Sequence, residues 1–190
     1  MRLKISTLII GGARSGKSCF AQELARKLGG QVLFVATAEA GDPEMRQRID
    51  EHRRRRPADW RTLEATCHIG HQIEQEIGSA QVVVVDCITL LLSNIFSQHS
   101  YQTLEQIEES VLEGQVVAEI NELTECMKRI DASVIIVSNE VGLGLVPVSR
   151  VGRLYRDLLG KANQMLAQCV DEVFLMVAGL PTKIIPVVKP

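Results

Sequence analysis

The chain has 190 residues, 46% of them hydrophobic and 23% charged, with a formal net charge of −2. That length serves one well-buried core, short for two, and the composition is that of a globular protein and not a disordered one. The slightly acidic balance weighs against general nucleic-acid binding, which marks a whole face or domain as basic, and no stretch approaches the roughly 20 apolar residues of a membrane span.

At the N-terminus, MRLKISTLIIGG carries two early basic residues, but its apolar run is too short for a signal sequence and leads straight into a motif that must fold. The five cysteines (Cys19, Cys67, Cys87, Cys126 and Cys169) are odd in number and lack a C-x-x-C pair, so buried free thiols in a reducing compartment are expected, without a disulfide framework or zinc site. A cytoplasmic location follows as the expectation.

The first strand is predicted at Leu8 to Ile10, and it ends in GGARSGKS. This is G-x-x-x-x-G-K-[ST] between an apolar strand and a helix predicted over 17–28, the context in which the pattern cradles phosphate. Gly11, Gly12, Ala13, Arg14, Ser15 and Gly16 can curl so that successive N–H groups face one anion, helped by the positive end of the helix dipole. Lys17 can reach β- and γ-phosphate oxygens, and the Ser18 hydroxyl can ligate Mg²⁺. The motif therefore predicts a nucleoside triphosphate site.

Further apolar runs are Val32 to Ala36, Val82 to Val85, Val134 to Val137 and Val173 to Val177. Their β-branched residues are near-continuous, as in parallel strands buried on both faces. A last run, Lys183 to Val188, contains Pro186 and reads as an edge strand. Helices are predicted over 43–55, 69–78, 103–130 and 149–169 between these strands; in the third of them Leu104, Ile107, Val111, Leu112, Val116, Ile120, Leu123 and Met127 recur at helical spacing. Such alternation gives one α/β domain over 1–190, a mostly parallel sheet with helices on both faces. The apolar segment 88–96 is expected to be core, with an interface as the alternative.

Two stretches carry further chemistry. Asp86 ends VVVVD, where a carboxylate at the carboxyl end of a neighbouring parallel strand would face Mg²⁺ or its water shell; a simple turn start is the plainer reading. In SNEVG, Ser138 to Gly142, the choice lies between a local turn and a ligand contact at the carboxyl edge of the sheet. No N-K-x-D guanine reader or D-x-x-G switch is present, which disfavours a regulatory GTPase.

RIDEHRRRRPADWRT raises the sharpest question, because His52 stands directly before Arg53, Arg54, Arg55 and Arg56. Asp42 and Pro43 suit a helix start, and Pro57 ends the helix. Met45, Ile49 and His52 then form one stripe, so a half-buried helical histidine is one reading. The other is chemical. Guanidinium groups fork onto phosphate oxygens, and their charge should keep an adjacent imidazole neutral and nucleophilic. Trp60 is expected to pack rather than stack on a base, while His68, His71 and His99 are expected at surface or structural positions.

Taken in order, GGARSGKS, VATAE, EMRQRIDEHRRRRPADWRTLE, VVVDCITLLLSN, VIIVSNEVGLGLVP and RLYRDLLGKANQMLAQCVDEVFLMVAGLPTKI cover nearly the whole chain. They resemble the bifunctional adenosylcobinamide kinase/adenosylcobinamide-phosphate guanylyltransferase family of the CobU type. The resemblance implies a RecA-like P-loop NTPase fold and two reactions of adenosylcobalamin biosynthesis. ATP or GTP would phosphorylate the aminopropanol hydroxyl of adenosylcobinamide; GTP would then form a GMP–histidine intermediate whose GMP passes to that phosphate.

By matching positions the resemblance implies His52 as the guanylylated residue and Gly11 to Ser18 as the P-loop. It also implies Ala36, Thr37, Ala38, Arg53, Arg54, Arg55, Arg56, Glu64 and Asp86 as nucleotide contacts, with Ser18 and Asp86 toward Mg²⁺. Glu64 on its own residues reads equally as a strand-edge carboxylate. Glu51 stands where some relatives carry a second histidine, which leaves His52 the sole candidate, and Asp86 stands where glutamate also occurs. The implied partners are GTP, ATP, adenosylcobinamide and its phosphate, with no nucleic acid and no membrane span, in a homo-oligomer. The competing reading is a P-loop switch or ATPase subunit that docks a protein or RNA through its arginine run.

Overall fold

The β-branched runs do form strands, and they assemble in a computed structural model that describes residues 4–39, 41 and 43–184. Its elements in chain order are β1 (Ser6–Gly11), α1 (Lys17–Leu28), β2 (Val32–Ala36), α2 (Pro43–Arg55), β3 (Arg61–Glu64), α3 (Ile69–Glu76) and β4 (Val82–Asp86). They continue with α4 (Ile88–Ser97), α5 (Tyr101–Gln106), α6 (Glu109–Arg129), β5 (Ser133–Val137), α7 (Arg150–Cys169), β6 (Glu172–Val177) and β7 (Leu180–Ile184). In α2 the side chains of Pro43, Glu44, Met45, Arg48, His52 and Arg55 lie outside the described residues, as do Asp42 and residues 185–188 of the expected last strand.

One seven-stranded sheet runs in the order β3-β2-β4-β5-β1-β6-β7. Every pairing is parallel except β6 with β7. Residue alternation divides the core between two faces. Leu33, Val35, Val83, Val85, Val134 and Ile136 face a cluster that includes residues of α3, α4, α6 and α7. Val32, Phe34, Val84, Ile135, Val137 and Ile9 face the opposite cluster, which Ala21 and Ala25 of α1 join. Burial on both sides is what made the strands read as unbroken apolar runs.

Three expectations are corrected by the structure. Residues 103–130 are not one helix: Ile107 and Glu108 are extended, with ψ of 140° and 135°, and separate α5 from α6. No proline or glycine marks that break. Arg150 instead takes the carbonyls of Leu104 and Ile107, each at 2.9 Å, and so satisfies the end of α5 from outside. The segment 88–96 is core, as expected, and forms a helix, with Ile88, Leu91, Leu92, Ile95 and Phe96 buried at spacings of three and four.

The edge strand begins earlier than expected and holds Pro181 rather than Pro186 among its described residues; an edge position tolerates the missing N–H. The thiols are not uniformly buried: Cys126 is, whereas Cys19 and Cys169 are exposed. Short β3 was not among the predicted strands, although Glu64 admitted a strand-edge reading, because RTLE offers one inward residue in four.

Candidate active site

The carboxyl ends of five strands meet in one register row. Glu64 lies beside Ala36, Ala36 beside Asp86, Asp86 beside Val137, and Val137 beside Ile9. From Glu64 to Ile9 is four strand spacings, roughly 19 Å. Asp86 is therefore not on a strand next to β1, as the sequence suggested; β5 lies between them. The row brings most of the candidate residues to one edge, with the P-loop at one end and the arginine helix at the other.

At the P-loop end, β1 leaves the sheet through Gly11 at φ 155°, where a Cβ would meet Met176 O at 2.5 Å and Ser15 Oγ at 2.8 Å. No larger residue fits there. Arg14 (φ 56°) and Gly16 (φ 95°) are left-handed, which curls the loop into the start of α1. Gly12, Ala13 and Arg14 are exposed around the mouth, and Ser15 is buried beneath it. Lys17 is buried, and its Nζ donates to Gly12 O at 2.6 Å. Burial holds its pKa below the usual lysine value, partly offset by the negative charge of Asp86. Ser18 is half-buried, one residue further into α1.

In the middle, Thr37 ties two strand ends. Its Oγ1 donates to Cys87 O at 2.7 Å and accepts from Cys87 N at 2.8 Å, while its carbonyl accepts from Asn94 Nδ2 at 2.8 Å. Thr37 is thus fully engaged by protein, and Ala36 and half-buried Ala38 flank it. Asn94, which also donates to Thr66 O at 3.0 Å, is a positioning residue that no spacing in the sequence revealed. Desolvation, then the charge of Asp86, pushes the Cys87 thiol up to about 12, so it is no thiolate at neutral pH.

At the far end, the last turns of α2 lie over β2 and β3. Arg53 forms an ion pair with Glu64. Arg56 stacks on Phe34, Cζ 4.0 Å from the ring centroid, and its Nε is buried without a hydrogen-bond partner. Desolvation lowers the Arg56 pKa, opposed first by Asp86. These arginines, Trp60, Thr62 and Glu64 line a groove of about 330 Å³. Trp60 packs on Phe34 as expected (centroids 6.4 Å apart) and also forms part of that wall. Arg54 is exposed. The backbone of His52 belongs to the same turn as Arg53, and its side chain, like that of Arg55, is outside the described residues.

The arrangement can hold polyanion at two ends of one edge with a carboxylate between. A family model described as cobinamide kinase / cobinamide phosphate guanyltransferase matches residues 7–184. The chain belongs to that family. It is 40% identical over 178 residues to the bifunctional adenosylcobalamin biosynthesis protein CobU of Escherichia coli (strain K12), covering 93% of this chain and 98% of that protein. With CobP of Pseudomonas aeruginosa, also named a bifunctional adenosylcobalamin biosynthesis protein, it shares 42% over 174 residues, 92% of this chain and 94% of the relative.

Solved structures agree on the fold alone. An ATPase of a type III secretion system aligns at TM-score 0.53 and 13% identity over 94% of this chain and 56% of that one. A protein of Pyrococcus horikoshii aligns at TM-score 0.53 and 7% identity over 96% and 87%. CobU-family membership together with this P-loop ATPase architecture meets the fold and family expected from the motifs.

Proposed function

We propose that this CobU-family enzyme, a cobinamide kinase and cobinamide-phosphate guanylyltransferase, runs both reactions along the register row. In the first, Gly11 to Ser18 hold ATP or GTP while the aminopropanol hydroxyl of adenosylcobinamide attacks the γ-phosphorus and the nucleoside diphosphate leaves. Lys17 exchanges its bond to Gly12 O for phosphate oxygens.

In the second, a nitrogen of His52 attacks the α-phosphorus of GTP, a P–N bond forms and pyrophosphate departs. An oxygen of adenosylcobinamide phosphate then attacks the same phosphorus, the P–N bond breaks, and adenosylcobinamide-GDP results. Arg53, Arg54, Arg55 and Arg56 neutralise the phosphate oxygens, with Arg53 and Arg56 lining the groove. Clustered guanidinium charge favours the neutral imidazole that attack requires.

The single observation that carries this reading is the register row itself, in which Asp86 stands two strands from β1 and two from Glu64, the ion-pair partner of Arg53. The phosphate loop and the arginine helix thereby open on one edge with a carboxylate between them. Mg²⁺ fits the oxygen donors present: the Ser18 hydroxyl and the Asp86 carboxylate are hard ligands that leave the rest to phosphate and water. Ser18 and Asp86 would hold it. When bound, it would neutralise charge developing on the phosphates.

Among the described residues no helix is long and apolar enough to cross a membrane. A cytoplasmic homo-oligomer handling small molecules, without nucleic acid, completes the proposal. The test is GTP labelled at the α-phosphate, followed by denaturation. Label that is acid-labile, alkali-stable and absent from His52→Ala supports the assignment. Label surviving in His52→Ala removes His52 from the assignment, and GTP binding with no label in any form favours a P-loop switch or ATPase subunit.

A further inference from the structure

The P-loop and the arginine groove account for nucleotide but not for the corrinoid, which is far larger than an arm that reaches phosphate. A second groove of about 600 Å³ opens between α4, α5 and the start of α7. Phe96, Tyr101, Leu104, Val151 and Tyr155 make its wall largely apolar. Ser93, Ser97, Ser149 and His99 add hydroxyls and an imidazole to it.

This groove is joined to the phosphate cradle by the chain itself. Glu140 N donates to Gly11 O at 3.0 Å, so the segment 141–148 starts at the P-loop, and Ser149 and Val151 at its other end line the groove. Leu143, Leu145, Val146 and Val148 make up four of the nine large hydrophobic side chains exposed among the described residues. Leu145 and Val148 are each 97% exposed. The segment is held in place at its far end, where Arg153 Nη1 donates to Pro147 O at 3.1 Å and to Val148 O at 2.5 Å. Tyr155 fixes the other wall, its hydroxyl donating to Thr89 O at 2.7 Å, three residues beyond Asp86.

We infer that this groove seats the corrin ring of cobinamide and that the 141–148 segment guides its aminopropanol arm to the cradle. The inference rests on the kinase reading above. A corrin is a broad macrocycle with apolar faces and a rim of amides. An apolar wall suits the faces, hydroxyls suit the amides, and the volume falls in the range of small-molecule sites. The terminal hydroxyl must reach a γ-phosphate held at Gly11 to Ser18, and the apolar strip joins groove to cradle. A second copy of this chain is the rival occupant, since it too would cover exposed leucine and valine.

The full chain, Tyr101→Ala, Ser97→Trp and the double variant Leu145→Asp/Val148→Asp are compared in cobinamide phosphorylation. All four altered residues are exposed, so the fold should tolerate them. Cobinamide binding is followed by equilibrium dialysis through the corrin's visible absorbance. KM and Kd for cobinamide should rise at least tenfold in each variant, with KM for the nucleotide within twofold and kcat at saturating cobinamide within threefold. Unchanged cobinamide KM in all three overturns the inference. So does a fall in sedimenting mass with cobinamide KM unmoved, which makes the face an interface between copies. An unaltered chain that binds no cobinamide and takes no GMP label fails at the proposed function instead, and this inference falls with it.

Discussion

The guanidinium of Arg56 lies over the ring of Phe34, Cζ 4.0 Å from its centroid, with its Nε buried and without a hydrogen-bond partner. A desolvated cation over an aromatic face gains about 2 kcal/mol, and a hydrogen bond to a charged group adds about 1.5–3 kcal/mol. Arg56→Gln should therefore lower GMP–protein formation by about 10- to 150-fold. Phe34→Leu should lower it less, while reducing Tm through lost core burial. Rates of label incorporation and thermal melts of both variants check this; an Arg56→Gln protein that labels at the parent rate contradicts the arginine's assignment.

Lys17 is buried and bonded to its own loop at Gly12 O. Lys17→Ala should cut cobinamide phosphorylation by about 10²–10³-fold, the scale of losing one preorganised electrostatic donor. Its melting temperature should change little, since the folded loop retains its glycine geometry. Kinase turnover with ATP and with GTP measures the first effect, and calorimetry the second. Normal turnover would remove the P-loop from the kinase step.

Thr37→Val preserves shape and deletes the hydroxyl that bridges both backbone groups of Cys87. Because Thr37 is fully buried, Cys87 N would lose its partner in a dry environment, a cost of about 1–3 kcal/mol. Chemical denaturation should show that loss in the midpoint with the m-value unchanged. A midpoint within experimental error of the parent's would mean the strand ends are tied by something else.

His68 Nδ1 donates to Glu122 Oε2 at 3.1 Å, and that bond, then the charges of Glu119 and Glu122, raise its pKa above the ordinary histidine value. Its folded pKa thus exceeds its unfolded pKa. The stabilisation is fully present below about 6.5, the unfolded value, and disappears as pH rises through the higher folded value. The side chain is largely exposed, so the effect is small. The Tm difference between the parent and His68→Gln should be largest near pH 5.5 and close by pH 8.5. A constant difference across that range would assign the bond no ionic part.

The loop geometry at GGARSGKS was legible in the sequence because it rests on backbone freedom at Gly11 and Gly16, a local property. So were the buried strands, whose β-branched runs need no partner to be recognised. Other features arise from residues far apart. The break before α6 depends on Arg150, some 40 residues downstream, and the engagement of Thr37 depends on Cys87 and Asn94. Arg56 could be read as a phosphate ligand from its neighbours, but its stacking on Phe34 could not, because that contact exists only once β3 has paired with β2. The element type of α4 was not legible: ITLLLSNIF repeats its burial at three and four, but in so short an apolar run helix and buried strand look alike.

Helix α3 has no capping side chain of its own. Its first N–H groups are satisfied from α6: Glu119 accepts from His68 N and Ile69 N, and Glu122 accepts from His71 N, at 2.8 to 2.9 Å. Eight residues are too few to persist alone in water. The order of assembly is thereby constrained, since α3 can settle only where α6 already stands. Amide exchange at Ile69 and His71 should consequently report the opening of a helix fifty residues away, so that loosening α6 unravels α3 without touching a single atom of it.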